Sequence, residues 1–300
     1  MNRRGLSGNT RVILAALLAV WLMLLNAVPL RAETAPLYGL LWEVSKPGVV
    51  ASHLFGTIHS EDPQVLQLDG RVQAAFDAAH SVVLEVLLDT DAMQYSSAAM
   101  LLLDGRMLDG IIGTELFNQA SRVCSSRGIP EVVLQRMKPW AVAVTLSMPV
   151  PETGQVLDMM LYQDALLANK PVHGLETIGE QLDVFDTLPE SAQIMLLRDA
   201  LENFPGIDAL HEELLQAYKR RDLGALMAIN DASMPIGDQR LADDLQRRLI
   251  RDRNRLMAER MQPYLEQGRA FVAVGALHLP GADGLLQLLQ QRGYALQVVY

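Results

Sequence analysis

The chain carries one short arrangement twice, near each end, and that repetition narrows the folds open to it. On the N-terminal side a strand-like stretch runs into Gly56-Thr57-Ile58-His59. A polar loop follows, then a helix with Val72, Ala75, Phe76 and Ala79 on one stripe, then the apolar run 81–88. At the C-terminus the apolar stretch 270–274 ends in Gly275-Ala276-Leu277-His278, and a Pro/Gly loop, an apolar helix over 285–290 and a strand over 294–300 complete the unit. Each unit is strand, GxxH, loop, helix, strand. A strand-helix-strand unit calls for parallel strands joined through a right-handed crossover. The expectation is an α/β fold: a central mixed sheet built from two related strand-GxxH-helix-strand halves, with helical insertions between them.

Other segments fill in this outline. Residues 37–58 read as a hairpin around the Lys46-Pro47-Gly48 turn, with Trp42, Val44, Val49 and Leu54 facing the core. Residues 171–175 form a further strand that leads into Glu176-Thr177 and a helix. Helical patterning covers 91–103, 115–127, 140–148, 155–168, 192–203, 208–221 and 238–267, the last interrupted near Pro263.

The first 32 residues stand apart. Arg3, Arg4 and Arg11 precede an uninterrupted apolar run over 12–25, and Arg31-Ala32 closes the segment. This is the layout of a secretory signal peptide. The run is short of the ~20 apolar residues a membrane-spanning helix needs. The expected organisation is a signal peptide over 1–32 and one domain over 33–300, periplasmic or secreted in a bacterium, with membrane attachment only through an uncleaved signal.

The whole chain has 25 basic and 35 acidic residues, net −10. Without the four arginines of the signal segment, 21 basic residues face the same 35 acids, a net −14. No nucleic-acid partner is expected from such a balance. The lone Cys124 cannot form an intramolecular disulfide.

Four side chains stand out. His59 and His278 lie just beyond strand ends, where open α/β sheets bind ligands, and Gly56 and Gly275 allow a close backbone approach there. Glu85 interrupts an apolar run of the kind expected for a strand covered on both faces, so its carboxylate needs a partner. Its strand is expected to pair parallel with the one leading to Gly56. On the long helix, at 100° per residue, Leu245, Leu249 and Leu256 share a stripe with Arg253 at its margin. An arginine there calls for a fixed anion, either a structural carboxylate or a substrate oxyanion. Glu176 opens a helix at the same edge and is a supporting candidate. His53, His80, His173 and His211 have no matched context.

Together FGTIH at 55–59, LEV at 84–86, KPW at 138–140, GLET at 174–177, RNRLMAERM at 253–261 and VGALHLPGADGLLQLLQQRGY at 274–294 resemble the TraB/GumN family, within the wider group of the Tiki metalloproteases and the erythromycin esterases. The resemblance implies a cleft lined by His59, Glu85, Arg253 and His278. It also implies a divalent metal on His59, Glu85 and His278, manganese or cobalt by Tiki likeness with zinc not excluded, and Glu176 or water completing the sphere. Such an ion lowers the pKa of bound water and polarises a carbonyl, and Arg253 would stabilise the oxyanion. The expected reaction is hydrolysis of an amide or ester bond in a peptide or small molecule. A metal-free version uses His59 as general base with Glu85 orienting it. The alternatives are a non-catalytic periplasmic binding protein for a peptide, polysaccharide or envelope component, and a structural histidine pair in a degenerate enzyme fold. One departure from the family pattern is Gly154-Gln155-Val156-Leu157-Asp158, where a closer Gly-Leu-Asp is expected, and it puts the local helix start in question.

Overall fold

A computed structural model describes residues 37–233 and 239–300; the expected signal peptide, 1–32, lies outside the described residues. Six strands are described: β1 (Leu41–Ser45), β2 (Ser52–Thr57), β3 (Ser81–Val86), β4 (Val172–Glu176), β5 (Ala270–Gly275) and β6 (Ala295–Val298). They form one sheet in the order β4-β3-β5-β2-β1-β6. The expected α/β fold with a mixed sheet is what forms. β4, β3, β5 and β2 run parallel, whereas β1 pairs antiparallel with both β2 and β6.

The hairpin forms around Gly48, whose φ of 83° suits the turn. Trp42, Val44 and Leu54 are buried as expected, while Val49, in the turn, is only half-buried. The centre of the sheet follows from β5. Its sequence AFVAVG is apolar throughout and every residue from Ala270 to Val274 is buried, as fits a strand with parallel neighbours on both sides and cover on both faces.

One pairing differs from expectation. β3 is parallel to β2 but does not touch it, because β5 lies between them. A crossover fixes direction, not adjacency, and the space between β2 and β3 is taken by a strand from the far end of the chain. Glu85 therefore lies beside the second GxxH turn rather than the first. In the C-terminal unit β5 and β6 are likewise separated, by β2 and β1.

The long helical region is not one α-helix. Gln239–Gln246 is α-helical, Arg247–Asp252 takes π-helical hydrogen bonds, and Arg253–Arg260 returns to α before the chain restarts at Gln262–Gln267, next to Pro263. A π-turn adds about one residue to the repeat, so the buried stripe slips by one position. Before it Leu241, Ala242 and Leu245 are buried; after it Asn254, Met257, Ala258, Met261 and Leu265 are, and Leu256 is only half-buried. The stripe expected at 100° per residue fails at this point.

A second apolar cluster, around Trp140, Leu116, Leu134 and Leu197, holds the helical insertion together. Lys138 and Trp140 of the KPW motif both donate to Asp186, at 2.8 and 2.7 Å, so that motif serves this insertion rather than the sheet edge. Among the described residues no helix is long and apolar enough to cross a membrane.

Candidate active site

The carboxyl ends of β2, β3 and β5 open into a cavity of about 340 Å³, lined among others by Thr57, His59, Glu85, Arg253, Gly275 and His278. Gly56 makes this edge compact. A Cβ on Gly56 would lie 3.1 Å from the Cα of Ala276 and 2.8 Å from a Leu279 methyl, so the second GxxH turn packs directly on the first. The Gly275 N–H donates to Glu85 Oε2 at 2.8 Å.

Glu85 is firmly held. Its Oε1 accepts from Gln181 at 2.9 Å and from Arg253 Nη2, and its Oε2 lies 3.8 Å from His278 Nε2. Glu176, whose side chain is 1% exposed, binds the same guanidinium: Nε donates at 3.1 Å and Nη2 at 2.7 Å. Arg253 thus sits between two carboxylates, and Nη1 makes only a 3.4 Å contact with Leu249 O. Burial alone would raise the Glu85 carboxyl, but His278, Arg253 and the Gly275 N–H outweigh it and hold it below the ordinary carboxylate range.

His278 is buried in a short 3-10 turn, and burial lowers its pKa to about 4, against the pull of Glu85 and with help from Arg253. It is neutral at pH 7, so Arg253 is the cation that balances Glu85 there. Its tautomer follows from Asn254, which is 0% exposed. Asn254 Nδ2 donates to the carbonyls of Asp283 at 2.8 Å and His278 at 3.3 Å, leaving Oδ1 as the acceptor 2.6 Å from His278 Nδ1. Nδ1 must carry the proton, and the Nε2 lone pair faces Glu85 and the cavity.

His59 has different company. Its side chain is 53% exposed, and Nδ1 lies 3.9 Å from Asp158 Oδ2. Thr57 donates to the other oxygen of Asp158 at 2.7 Å. Burial and the Glu85 charge raise the Asp158 pKa, while Thr57 and His59 oppose the rise. The Leu157–Leu167 helix starts one residue before Asp158, so the family departure at Gln155-Val156 does not keep this carboxylate from Thr57 and His59. Tyr218 closes one wall and donates to Gly56 O at 2.9 Å.

The expected metal set of His59, Glu85 and His278 is not assembled. Among the described residues no three His, Cys, Asp or Glu side chains come together in a way that could hold a metal ion. The partners explain it: Glu85 is committed to Arg253, Gln181 and Gly275, and the carboxylate beside His59 is Asp158. As they stand, these residues do not fit a three-ligand site for manganese, cobalt or zinc.

With both GxxH turns at one sheet edge, the relatives can be weighed. The model of the TraB/PrgY/gumN family matches residues 40–298. The chain belongs to this family. It is 24% identical over 253 residues to the uncharacterized protein YbaP of Escherichia coli K12, covering 83% of this chain and 91% of that one. It is 25% identical over 312 residues to the metalloprotease TIKI2 of Danio rerio, covering 86% of this chain and 60% of that protein. No solved structure matches.

In this TraB/PrgY/gumN chain three residues that sequence reasoning did not single out as functional stand behind the cavity lining, Asp158 on Thr57, Gln181 on Glu85 and Asn254 on His278. Asp158 was visible only as part of a displaced family motif. Asn254 was hidden by the π-turn, because an unbroken 100° repeat puts it on the face opposite the expected stripe, whereas it is buried. Gln181, three residues into its helix, has no signal in the sequence alone.

Proposed function

We propose that this TraB/PrgY/gumN protein is a hydrolase of ester or amide bonds, using His59 as general base. The observation that carries the reading is the shared cavity: His59, Glu85, Arg253 and His278 all line it, at the strand ends where α/β sheets bind ligands. The TIKI2 relative, a metalloprotease by name, supports hydrolysis as the reaction class.

In this reading Asp158, 3.9 Å from His59 Nδ1, stabilises the imidazole by its charge once protonated, and the His278 Nε2 lone pair accepts a hydrogen bond from the attacking water. Water adds to the carbonyl carbon as its proton passes to His59. The negative charge that develops on the carbonyl oxygen lies toward Arg253, whose Nη1 is its least engaged nitrogen. Collapse of the intermediate breaks the bond to the leaving group, which takes the proton from His59. Glu85 and Glu176 position the guanidinium. No step needs a metal ion. We further propose that the signal segment is removed after Ala32 and that the enzyme works in the bacterial periplasm or outside the cell.

The test is hydrolysis of a panel of p-nitrophenyl esters and peptide anilides by the mature protein, before and after dialysis against a chelator. Turnover that survives dialysis, with less than stoichiometric metal by elemental analysis, is expected. Turnover lost on dialysis and restored by Mn²⁺ or Co²⁺ would overturn the metal-free mechanism. Absence of turnover under all conditions would favour the binding-protein alternative.

A further inference from the structure

The cavity has two unlike sides. Most polar groups gather at the strand ends, while Ile58, Leu214, Leu226, Leu249, Ile250 and Leu277 make the other side largely apolar, with Asn230 as its one amide. Its volume of about 340 Å³ lies near the lower end of the roughly 300–1,000 Å³ typical of small-ligand sites. The π-helical segment supplies Leu249 and Ile250, so the departure from α-helix shapes the apolar side just before it delivers Arg253. π-turns within α-helices are frequent at functional sites.

The charge balance points the same way. Arg253 faces both Glu85 and Glu176, which leaves one negative charge in excess, and His278 is neutral at pH 7. Asp158 adds an acid on the His59 side. An acyl group bearing its own carboxylate would meet like charge at the polar end and leave a charge unpaired against the apolar wall.

We propose that the cavity selects an uncharged aliphatic acyl group, as the acyl part of a neutral ester or amide, and discriminates against acyl groups carrying a carboxylate. The proposal rests on the hydrolase reading only for which bond is cut. The fit between wall and acyl chain stands on the cavity itself.

The experiment has a kinetic arm and a binding arm. In the first, kcat/KM is measured for p-nitrophenyl acetate, butanoate and hexanoate and for mono-p-nitrophenyl succinate. A rise of about fourfold per methylene is expected while the chain fills the cavity, with the succinate at least about tenfold below the butanoate. In the second, calorimetry compares acetamide, hexanamide and succinamate on the wild type and on Leu249→Phe, with Leu249→Met as a second, milder variant should the first fail to fold. Hexanamide is expected to bind most tightly, and Leu249→Phe to reduce its advantage over acetamide. Equal rates or affinities along the series, or a preference for the succinyl compounds, would overturn the proposal. Hexanamide binding that Leu249→Phe weakens, without turnover of any ester, would sustain it and reject the hydrolase reading; turnover with a flat series would do the reverse.

Discussion

Asn254 decides which nitrogen of His278 faces the cavity, and it does so because its own amide is fixed by two backbone carbonyls. Asn254→Ala removes the acceptor for Nδ1–H and leaves a buried donor unpaired. A loss of about 1–3 kcal/mol in unfolding free energy is expected by denaturant titration, together with a lower kcat because the Nε2 lone pair is no longer held on the water. Unchanged stability and rate would show that the tautomer is set elsewhere. His278 also makes a prediction for pH. Its pKa falls from 6.5 to about 4 on folding, so between those values the unfolded chain binds the extra proton. This group's part of the stability is complete above about pH 6.5 and is lost as pH falls toward 4, roughly 3 kcal/mol in all. A series of melts from pH 7 to pH 4 checks it: His278→Gln is expected to flatten that slope, and an unaltered slope would assign it to other groups. At this scale much was legible. The two GxxH histidines and the misplaced Glu85 announce themselves against their neighbours, whereas Asn254 looks like an ordinary polar residue until the helix register is known.

Between residue and molecule, two connecting elements set the geometry. The Glu61 carboxylate, two residues past His59, accepts from the N–H groups of Glu152, Thr153 and Gly154 and from the Thr153 hydroxyl. It ties the first GxxH loop to the segment that precedes the Asp158 helix. These bonds, with Thr153 N–H the largest contributor, hold the Glu61 pKa below its ordinary value despite desolvation. The clamp is intact above the normal carboxylate range and is lost as pH falls through the lowered value. Glu61→Ala is expected to speed hydrogen exchange at residues 152–154 and to reduce kcat more than it alters KM, because Asp158 loses its registration against His59. Exchange rates matching the wild type would remove Glu61 from the account. The π-turn at Arg247–Asp252 is the other such element, and it explains why reading at 100° per residue succeeded up to Leu245 and failed at Leu256. Periodicity reports a register only while the helix keeps one repeat. Nothing in RRLIRD marks the extra residue in that turn.

Over the whole molecule, the two halves are interleaved, not placed side by side. β5 enters between β2 and β3, which brings His278 from the end of the chain next to Glu85 while keeping His59 just past the end of the neighbouring strand. Strand existence, strand direction and the shared edge were readable from the repeated units, since they depend on local patterning. Strand order was not, because it depends on pairings such as His53 with Phe271 and Val82 with Phe271, between opposite ends of the chain. The expected set of His59, Glu85 and His278 is not assembled for a related reason: three ligands at the right edge do not make a site while a guanidinium and a backbone N–H hold the shared carboxylate. The family likeness supports the reaction class, and the cavity supports the residues that would perform it. The most direct measurement is kcat/KM of mature wild type and His59→Gln on p-nitrophenyl hexanoate, with melting temperatures taken in parallel. A fall of about 10²–10⁴-fold in a variant that melts like the wild type is the predicted result. Equal rates in the two proteins would contradict it.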